Sequence, residues 1–454
     1  MKEIREQLMS VRKISAAMAA TAAVGALTVA ALVPAHAEPP AGTVPRSIDV
    51  VGVGSDTIQY VDQILADAYN SGASSSAPHI ISYDACTTPV PGSLLSYPCT
   101  NDGGNVTLSD GGAIARPGGS GPGRAALYND PNNSAKIAFA RSSGVGSSTD
   151  FQNGLVGVPF AVDTVVVAVS LKNTAAPASL TDQQVLGIYT GQFNNWSQVG
   201  GQDAPIAPLE PQSGSGTRSF FEGQLKNING GTAPTLVAKD TYGPDNAKVY
   251  EHDPAPLVAD NTAIAPFSKG RASFASNKIR VIGGFAKNRA VWNYMRQTTI
   301  SGVNAPADYL YDAPLMQGIF GPTGFWCSAN ARPLIEEMGF AQFKSGTDGP
   351  CGQPFTADVS PTQLTQFYTP AKAAFTVAAP AVVKTKKTTI KVVSSNRILK
   401  PVQAKLGRTL LATRNLSQTG SATLKFATKK LAKGLNKVKV TLDGVTKTVK
   451  ITRK

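Results

Sequence analysis

The chain has 454 residues, 42% of them hydrophobic, with 43 Lys and Arg against 29 Asp and Glu and a formal charge of +14. The charge is uneven: residues 1–37 carry +2, residues 38–379 carry −6, and residues 380–454 carry +18 with Asp443 as their one acid. This excludes a uniformly basic nucleic-acid binder and a globally disordered chain, and it implies at least two units with different partners.

The first element is a leader. Lys2, Arg5, Arg12 and Lys13 precede an apolar run from Ile14 to Val33, which ends at Ala35-His36-Ala37. That small-x-small ending predicts a signal peptide over residues 1–37, cleaved after Ala37, and a secreted mature protein; a membrane anchor is the rival reading. The four cysteines agree with an oxidising compartment. They permit three connectivities, of which Cys86–Cys99 and Cys327–Cys351 close the shortest loops. A zinc site is the alternative, but neither pair has Cys-x-x-Cys spacing, and no metal or other cofactor is expected.

Residues 48–57 read as a strand and a Gly-rich turn, followed by a helix from Ile58 to Tyr69 with Val61, Ile64, Leu65 and Ala68 on one face. Residues 71–115, rich in Ser, Gly and Pro, read as a surface insertion. A second Gly/Ser loop at 118–124 opens a short helix, and Lys136 to Ala140 is a strand ending in Arg141-Ser142-Ser143-Gly144. The β-branched run Gly157 to Val169 suits a buried strand. Leu180 to Tyr189 suits a helix capped by Thr181 or Asp182. Gln212-Ser213-Gly214-Ser215-Gly216-Thr217-Arg218 is again a Gly/Ser turn before a helix. Strands alternating with helices predict α/β layers. Crossing segments near 157–169 and 259–268 would divide residues 38–369 into two lobes, the second over about 165–262. Residues 370–383 form an Ala/Pro/Val linker. Residues 384–454 alternate in short runs with Asp443-Gly444 between two of them, a hairpin signal, and predict a small all-β immunoglobulin-like sandwich.

Four segments, 54–57, 118–124, 140–144 and 213–218, share one design: Gly and Ser at a strand end or helix start. Such turns offer unpaired backbone N–H groups, close backbone approach and hydroxyl donors to an anion. Three also carry an arginine (Arg124, Arg141, Arg218) able to grip an oxyanion bidentately.

These residues carry a resemblance. Gly54-Ser55-Asp56-Thr57, Gly119-Ser120-Gly121, the stretch Ile188-Tyr189-Thr190-Gly191 through Trp196, and Ser213 to Arg218 resemble the phosphate-binding protein of bacterial ABC importers over roughly residues 48–340. The resemblance implies a two-lobed type II periplasmic-binding-protein fold. It also implies an interlobe ligand, inorganic phosphate or a similar oxyanion, and an ABC permease as partner. Carried over by motif, the ligand contacts fall on Ser55, Asp56, Thr57, Ser120, Gly121, Arg141, Ser142, Ser215, Gly216, Thr217 and Arg218. The family usually places an Arg and an Asp just ahead of the Gly-Ser-Gly-Thr turn, where this chain has Pro211 and Ser213, and an Asp where Arg141-Ser142 stands. Asp56, with Glu210 behind it, is left as the carboxylate that could accept a phosphate proton; as an N-cap of the following helix it has a second reading.

No catalytic role is expected. Glu251-His252-Asp253-Pro254 reads as a polar loop, Glu336-Glu337 as a solvated helix face, and Trp196, Trp292 and Trp326 as packing residues. The module at 384–454 has Phe426 as its one aromatic residue, which disfavours nucleic acid. Its lysines suit either a solvated β module or retention on an anionic cell-wall polymer. A wall-associated binding protein without a transport duty is the alternative to an uptake receptor.

Overall fold

The computed structural model describes residues 38–39, 42–85, 104–109, 111–129, 136–297, 307–346, 349–356, 364–397, 400–417 and 420–454. The expected signal peptide and the Cys86–Cys99 pairing lie outside the described residues. Strand β1 (Val50–Gly54) is buried on both faces, as its Val-Val-Gly-Val-Gly sequence demands. Helix α1 (Gln59–Gly72) follows, and β2 (Ile80–Ser82) lies parallel to β1. The expected surface insertion thus contributes a strand to the main sheet, because Ile80-Ile81-Ser82 can pair with the exposed edge of β1. After the short helix α2 (Ser120–Ala125) come β3 (Phe139–Ser142) and the long β4 (Leu155–Ser170). Then follow α3 (Asp182–Tyr189), β5 (Ala207–Pro208), α4 (Gly216–Ile228), β6 (Ala263–Ser268), α5 (Lys269–Phe274) and the second long strand, β7 (Ile279–Arg296). Thr181 caps α3 in a reciprocal capping box with Gln184.

The mixed sheet runs β2-β1-β3-β7-β4-β6-β5. β4 and β7 pair antiparallel over almost their whole length, from Ile279↔Ser170 to Arg296↔Leu155. Their far halves serve different cores. Val156, Val158, Trp292 and Tyr294 pack with Phe139 and Trp326 in the first lobe. In the second lobe, β4 alternates: Val165, Val167 and Val169 meet Tyr189, Trp196 and Phe221, while Val166 and Ala168 meet Leu257 and Phe267 on the opposite face. The return crossing is therefore β7, rather than 259–268; β6 pairs only with the second-lobe half of β4. The second core accordingly extends past the expected 262, to Phe285. The register of β7 shifts between Ile282 and Ala286. Gly284 sits there at φ 91°, where a Cβ would lie 2.1 Å from the Leu180 carbonyl oxygen, so only glycine fits this bulge.

A disulfide joins Cys327 and Cys351 in the first lobe. All three tryptophans are buried. Glu336 and Glu337 are buried as well, against the expectation of a solvated face, and Glu336 Oε2 accepts the Ala371 N–H at 3.0 Å.

The C-terminal region is a two-sheet sandwich. One sheet holds β8 (Phe375–Ala378), β10 (Lys387–Ser394) and β13 (Ser421–Ala427); the other runs β9 (Val382–Val383), β15 (Val445–Arg453), β14 (Gly434–Leu442), β11 (Pro401–Leu406), β12 (Thr409–Asn415). Residues expected to form a linker thus supply β8 and β9, with Phe375 and Val383 in the sandwich core. Asp443 (φ 45°) and Gly444 (φ 77°) form the two-residue turn between β14 and β15. Buried Lys400 anchors the module on α5: its Nζ donates to Ser273 Oγ at 2.6 Å and lies 3.6 Å from the Phe274 ring centroid.

Candidate functional site

Three loops of the first lobe and one of the second meet where β4 and β7 pass between the lobes. Gly54 ends β1 at φ 110°, and a Cβ there would lie 2.6 Å from the Arg141 carbonyl oxygen; the glycine lets the next residues turn into the cleft. The Ser55 hydroxyl donates to Ser143 Oγ at 3.2 Å, and Ser143 Oγ lies 3.3 Å from Ser120 Oγ. The helix α4 begins against this hydroxyl group. A Cβ on Gly216 would stand 2.4 Å from Ser120 Oγ and 2.5 Å from Ser143 Oγ, so the lobes can approach this closely only with glycine there. Thr57 and Thr217, one from each lobe, place their hydroxyls 3.4 Å apart. Ser215 caps α4, its Oγ accepting the Arg218 N–H at 3.0 Å. The Gly121 N–H reaches the Gly214 carbonyl at 3.5 Å.

Charged groups surround these hydroxyls. Asp163 on β4 and Arg289 on β7 are register partners, both buried. Arg289 Nε and Nη2 donate to Asp163 Oδ2 at 3.0 and 2.8 Å, and Nη2 also donates to Thr217 Oγ1 at 2.9 Å. Nη1 of Arg289 is buried without a partner. Ser268 Oγ donates to Asp163 Oδ1 at 2.6 Å, fixing the carboxylate from behind. His252, at φ 59°, joins both lobes. Its Nδ1 accepts the Ser268 N–H at 3.1 Å, so that nitrogen carries no proton. Burial, together with Arg271 and Arg289 nearby, holds the imidazole well below its ordinary range and keeps it neutral. The proton therefore sits on Nε2, 3.0 Å from Thr57 Oγ1 and 3.2 Å from Thr217 Oγ1.

Two carboxylates complete the ring. Glu251 Oε1 accepts the Thr217 N–H at 2.7 Å, and its buried Oε2 is unpartnered. Asp56 Oδ1 accepts from Arg271 Nη2 at 3.2 Å, with Oδ2 buried and unpartnered. Arg271 stacks over Tyr60 at 3.9 Å. Burial pushes the Asp56 carboxyl up to about 7 against the pull of Arg271. The helix α1 has no side-chain cap, so Asp56 does not serve as its N-cap.

The structure thus brings together Ser55, Asp56, Thr57, Ser120, Gly121, Ser215, Gly216 and Thr217. The guanidinium groups of Arg141 and Arg218 and the Ser142 hydroxyl are held by other partners and do not join the hydroxyl cluster. Arg141 is fully buried, directing its guanidinium to the Gly54, Ser55 and Tyr83 carbonyls and to Ser82 Oγ. It braces the loop that presents Ser55. Ser142 accepts from Arg124 Nη1 at 2.6 Å and donates to the Gly144 carbonyl. Arg218 pairs with Glu210 at 2.6 Å, Glu222 at 2.9 Å and Asp240 at 3.5 Å, which offsets its unfavourable place in the first turn of α4 and occupies Glu210. Sequence reasoning missed Ser143, Asp163, Glu251, His252, Ser268, Arg271 and Arg289. Ser143 was within reach, one residue beyond the Arg141-Ser142 pair. Glu251-His252-Asp253 is buried in the site instead of forming a polar loop.

Among the described residues no group of three or more His, Cys, Asp or Glu side chains is arranged to hold a metal ion. No helix among them is long and apolar enough to cross a membrane.

Residues 100–277 match the model of the PBP superfamily domain. An ABC-type phosphate transport receptor from Vibrio cholerae is 19% identical, aligned over 64% of this chain and 99% of its own, with a TM-score of 0.40. A putative phosphate ABC transporter substrate-binding protein with bound phosphate, from Clostridium perfringens, is 16% identical over 65% of this chain and 100% of its own, with a TM-score of 0.42. Residues 100–277 are thus similar to the PBP superfamily domain, within a region built on a mixed α/β sheet and followed by a β-sandwich module.

Proposed function

We propose that the two-lobed domain is a receptor that captures a protonated oxyanion, phosphate foremost, between its lobes without converting it. One observation carries this reading. The hydroxyls of Ser55, Thr57, Ser120, Ser143 and Thr217 converge from both lobes in a buried site beside an arginine with one unpartnered nitrogen. In a dry site each such donor is worth far more to an anion than it is in water. The two unpartnered carboxylate oxygens, Asp56 Oδ2 and Glu251 Oε2, suit a ligand that brings a proton of its own. Hydrogen phosphate has that proton and sulfate does not. A cleft lined by Ser143, Val162, Phe220, Asn288, Arg289 and Trp292 adjoins the hydroxyl cluster.

In this reading the protein is exported by its leader, delivers its ligand to an ABC permease, and is retained near the cell by its basic module. A wall-associated binding protein without a transport duty is the second reading, favoured by Pro211 and Ser213 standing where uptake receptors of the resembled family carry an Arg and an Asp. Calorimetry with phosphate, sulfate and a phosphosugar tests ligand capture: phosphate binding without sulfate binding is expected, and silence for all three sinks the receptor reading. Permease and ATPase genes beside the coding sequence would favour uptake over wall association.

A further inference from the structure

The outer face of the five-stranded sheet violates a packing rule. In β14 and its neighbours, Lys437 stands directly opposite Lys450, and Lys439 directly opposite Lys405. Like charges facing each other across a ladder destabilise a sheet. Lysines commonly protect sheet edges, but at Lys439 strand β14 is paired on both sides, by β11 and β15, so edge protection does not explain the Lys405–Lys439 pair. None of the four has an ion-pair partner among the described residues, and the module's one acid, Asp443, is engaged by Arg397 at 2.7 Å. The face also carries hydroxyls, with Thr448 opposite Lys439 and Thr441 opposite Thr446, and two exposed leucines, Leu435 beside Lys437 and Leu410 opposite Lys405.

The placement of this face is fixed. Its Asp443 end lies against the body, where Gln403 Nε2 donates to the Ser276 carbonyl at 3.3 Å and Lys400 is buried on α5. The four lysines lie further along the same strands, and Lys437, Lys439 and Lys450 are exposed. Neighbouring strands are about 4.8 Å apart and alternate residues about 7 Å apart along a strand. The result is a compact cationic lattice without aromatic residues; Phe426 is buried in the sandwich core. That lattice suits closely spaced phosphodiesters on a flexible, base-free backbone, and it lacks the stacking platform single-stranded nucleic acid needs.

We propose that Lys405, Lys437, Lys439 and Lys450 form a docking surface for a linear polyol-phosphate polymer of the kind that makes a cell wall anionic. The proposal rests on reading the basic module as a retention element, and it assigns that role to one face. The full chain is titrated onto immobilised poly(glycerol phosphate) over a range of salt. The K405Q/K437Q/K439Q/K450Q variant is compared with K384Q/K387Q/K391Q/K425Q, which removes the same charge elsewhere in the module.

The first variant is expected to bind at least tenfold more weakly. Its log affinity should depend on log salt with a slope shallower by about 3, since each phosphate contact contributes roughly 0.7–0.9. It should melt no lower than the parent, because repulsion has been removed. The control variant should keep most of the affinity. Equal losses in the two variants would overturn the assigned face while leaving retention intact. Failure of the parent to bind the polymer at all would overturn both. Tighter binding of the parent to vesicles of 30% phosphatidylglycerol in phosphatidylcholine, or to a single-stranded oligonucleotide, than to the polymer would also overturn the proposal.

Discussion

In the two-lobed body, charge is internal and answered: Asp163 by Arg289, Asp56 by Arg271, Asp150 by Arg124. In the sandwich, charge is external and largely unanswered, and two lysine pairs face each other across the ladder. Buried charges with fixed partners act over a few ångströms and are little screened, so they shape a specific site. Exposed charges of one sign act through a summed field that salt weakens. The same residue types therefore do different work in the two regions: selection in the body and attraction in the module.

Removing Arg289 attacks the body's side of this contrast most severely. Arg289→Met leaves Asp163 buried without its cation and should cost about 3–5 kcal/mol in urea unfolding. Pairing it with Asp163→Asn should restore most of that stability without restoring phosphate binding. Full recovery of both would show that the arginine serves the fold alone. Next, replacing Cys327 and Cys351 by Ser opens a loop of 24 residues and should lower the body's stability by about 3 kcal/mol, while the module's unfolding transition stays in place.

The pH dependence of the body has a definite sign. Burial raises the carboxyls of Asp56 and Asp62 to about 7 and of Asp84 to about 8, from 3.8. In each case the folded state holds the proton more tightly than the unfolded chain. Their contribution to stability is complete below pH 3.8 and is lost as pH rises through 7 to 8. Asp49 and Asp150, held below 3.8, oppose this at lower pH, and His252, held well below 6.5, opposes it as pH falls through 6.5. Above pH 6.5, where His252 no longer opposes the three raised carboxyls, the thermal midpoint should fall as pH rises to 8, and Asp56→Asn, Asp62→Asn and Asp84→Asn should each flatten that fall. An unchanged profile in all three would remove these groups from the account.

Ser143→Ala and Thr217→Val should each weaken phosphate binding by about 1–3 kcal/mol in calorimetry, because each deletes a hydroxyl from the cluster. The smallest effect belongs to the module. Lys437→Gln should raise its stability by about 0.2–1 kcal/mol, since the residue opposite is also a lysine. A loss instead would mean that the lysine stems pack usefully.

What the sequence made legible is what short segments encode. The β-branched run of β4 and the Gly/Ser turns before α2 and α4 announce themselves within a dozen residues. The site's ionic half does not. Asp163 and Arg289 are 126 residues apart and meet only because two long strands pair in register. Strand β7 hides this by its composition: Gly283-Gly284 interrupt it and Lys287 and Arg289 charge it, because it crosses a bulge and then faces the cleft. Arg141 misleads for the opposite reason. Its local motif looks like an anion grip, while its guanidinium is taken up by carbonyls of strands and loops that only the fold assembles.

Asp443 shows how little sequence drift one position can tolerate. It holds a left-handed turn conformation, pairs with Arg397 through Oδ2, and faces buried Lys400. Asparagine or glycine would keep the turn and lose the charge. Glutamate would keep the charge but suits a left-handed residue poorly. Lysines on the outer face can therefore change one at a time, whereas the hinge between hairpin and docking contact is confined to a single side chain.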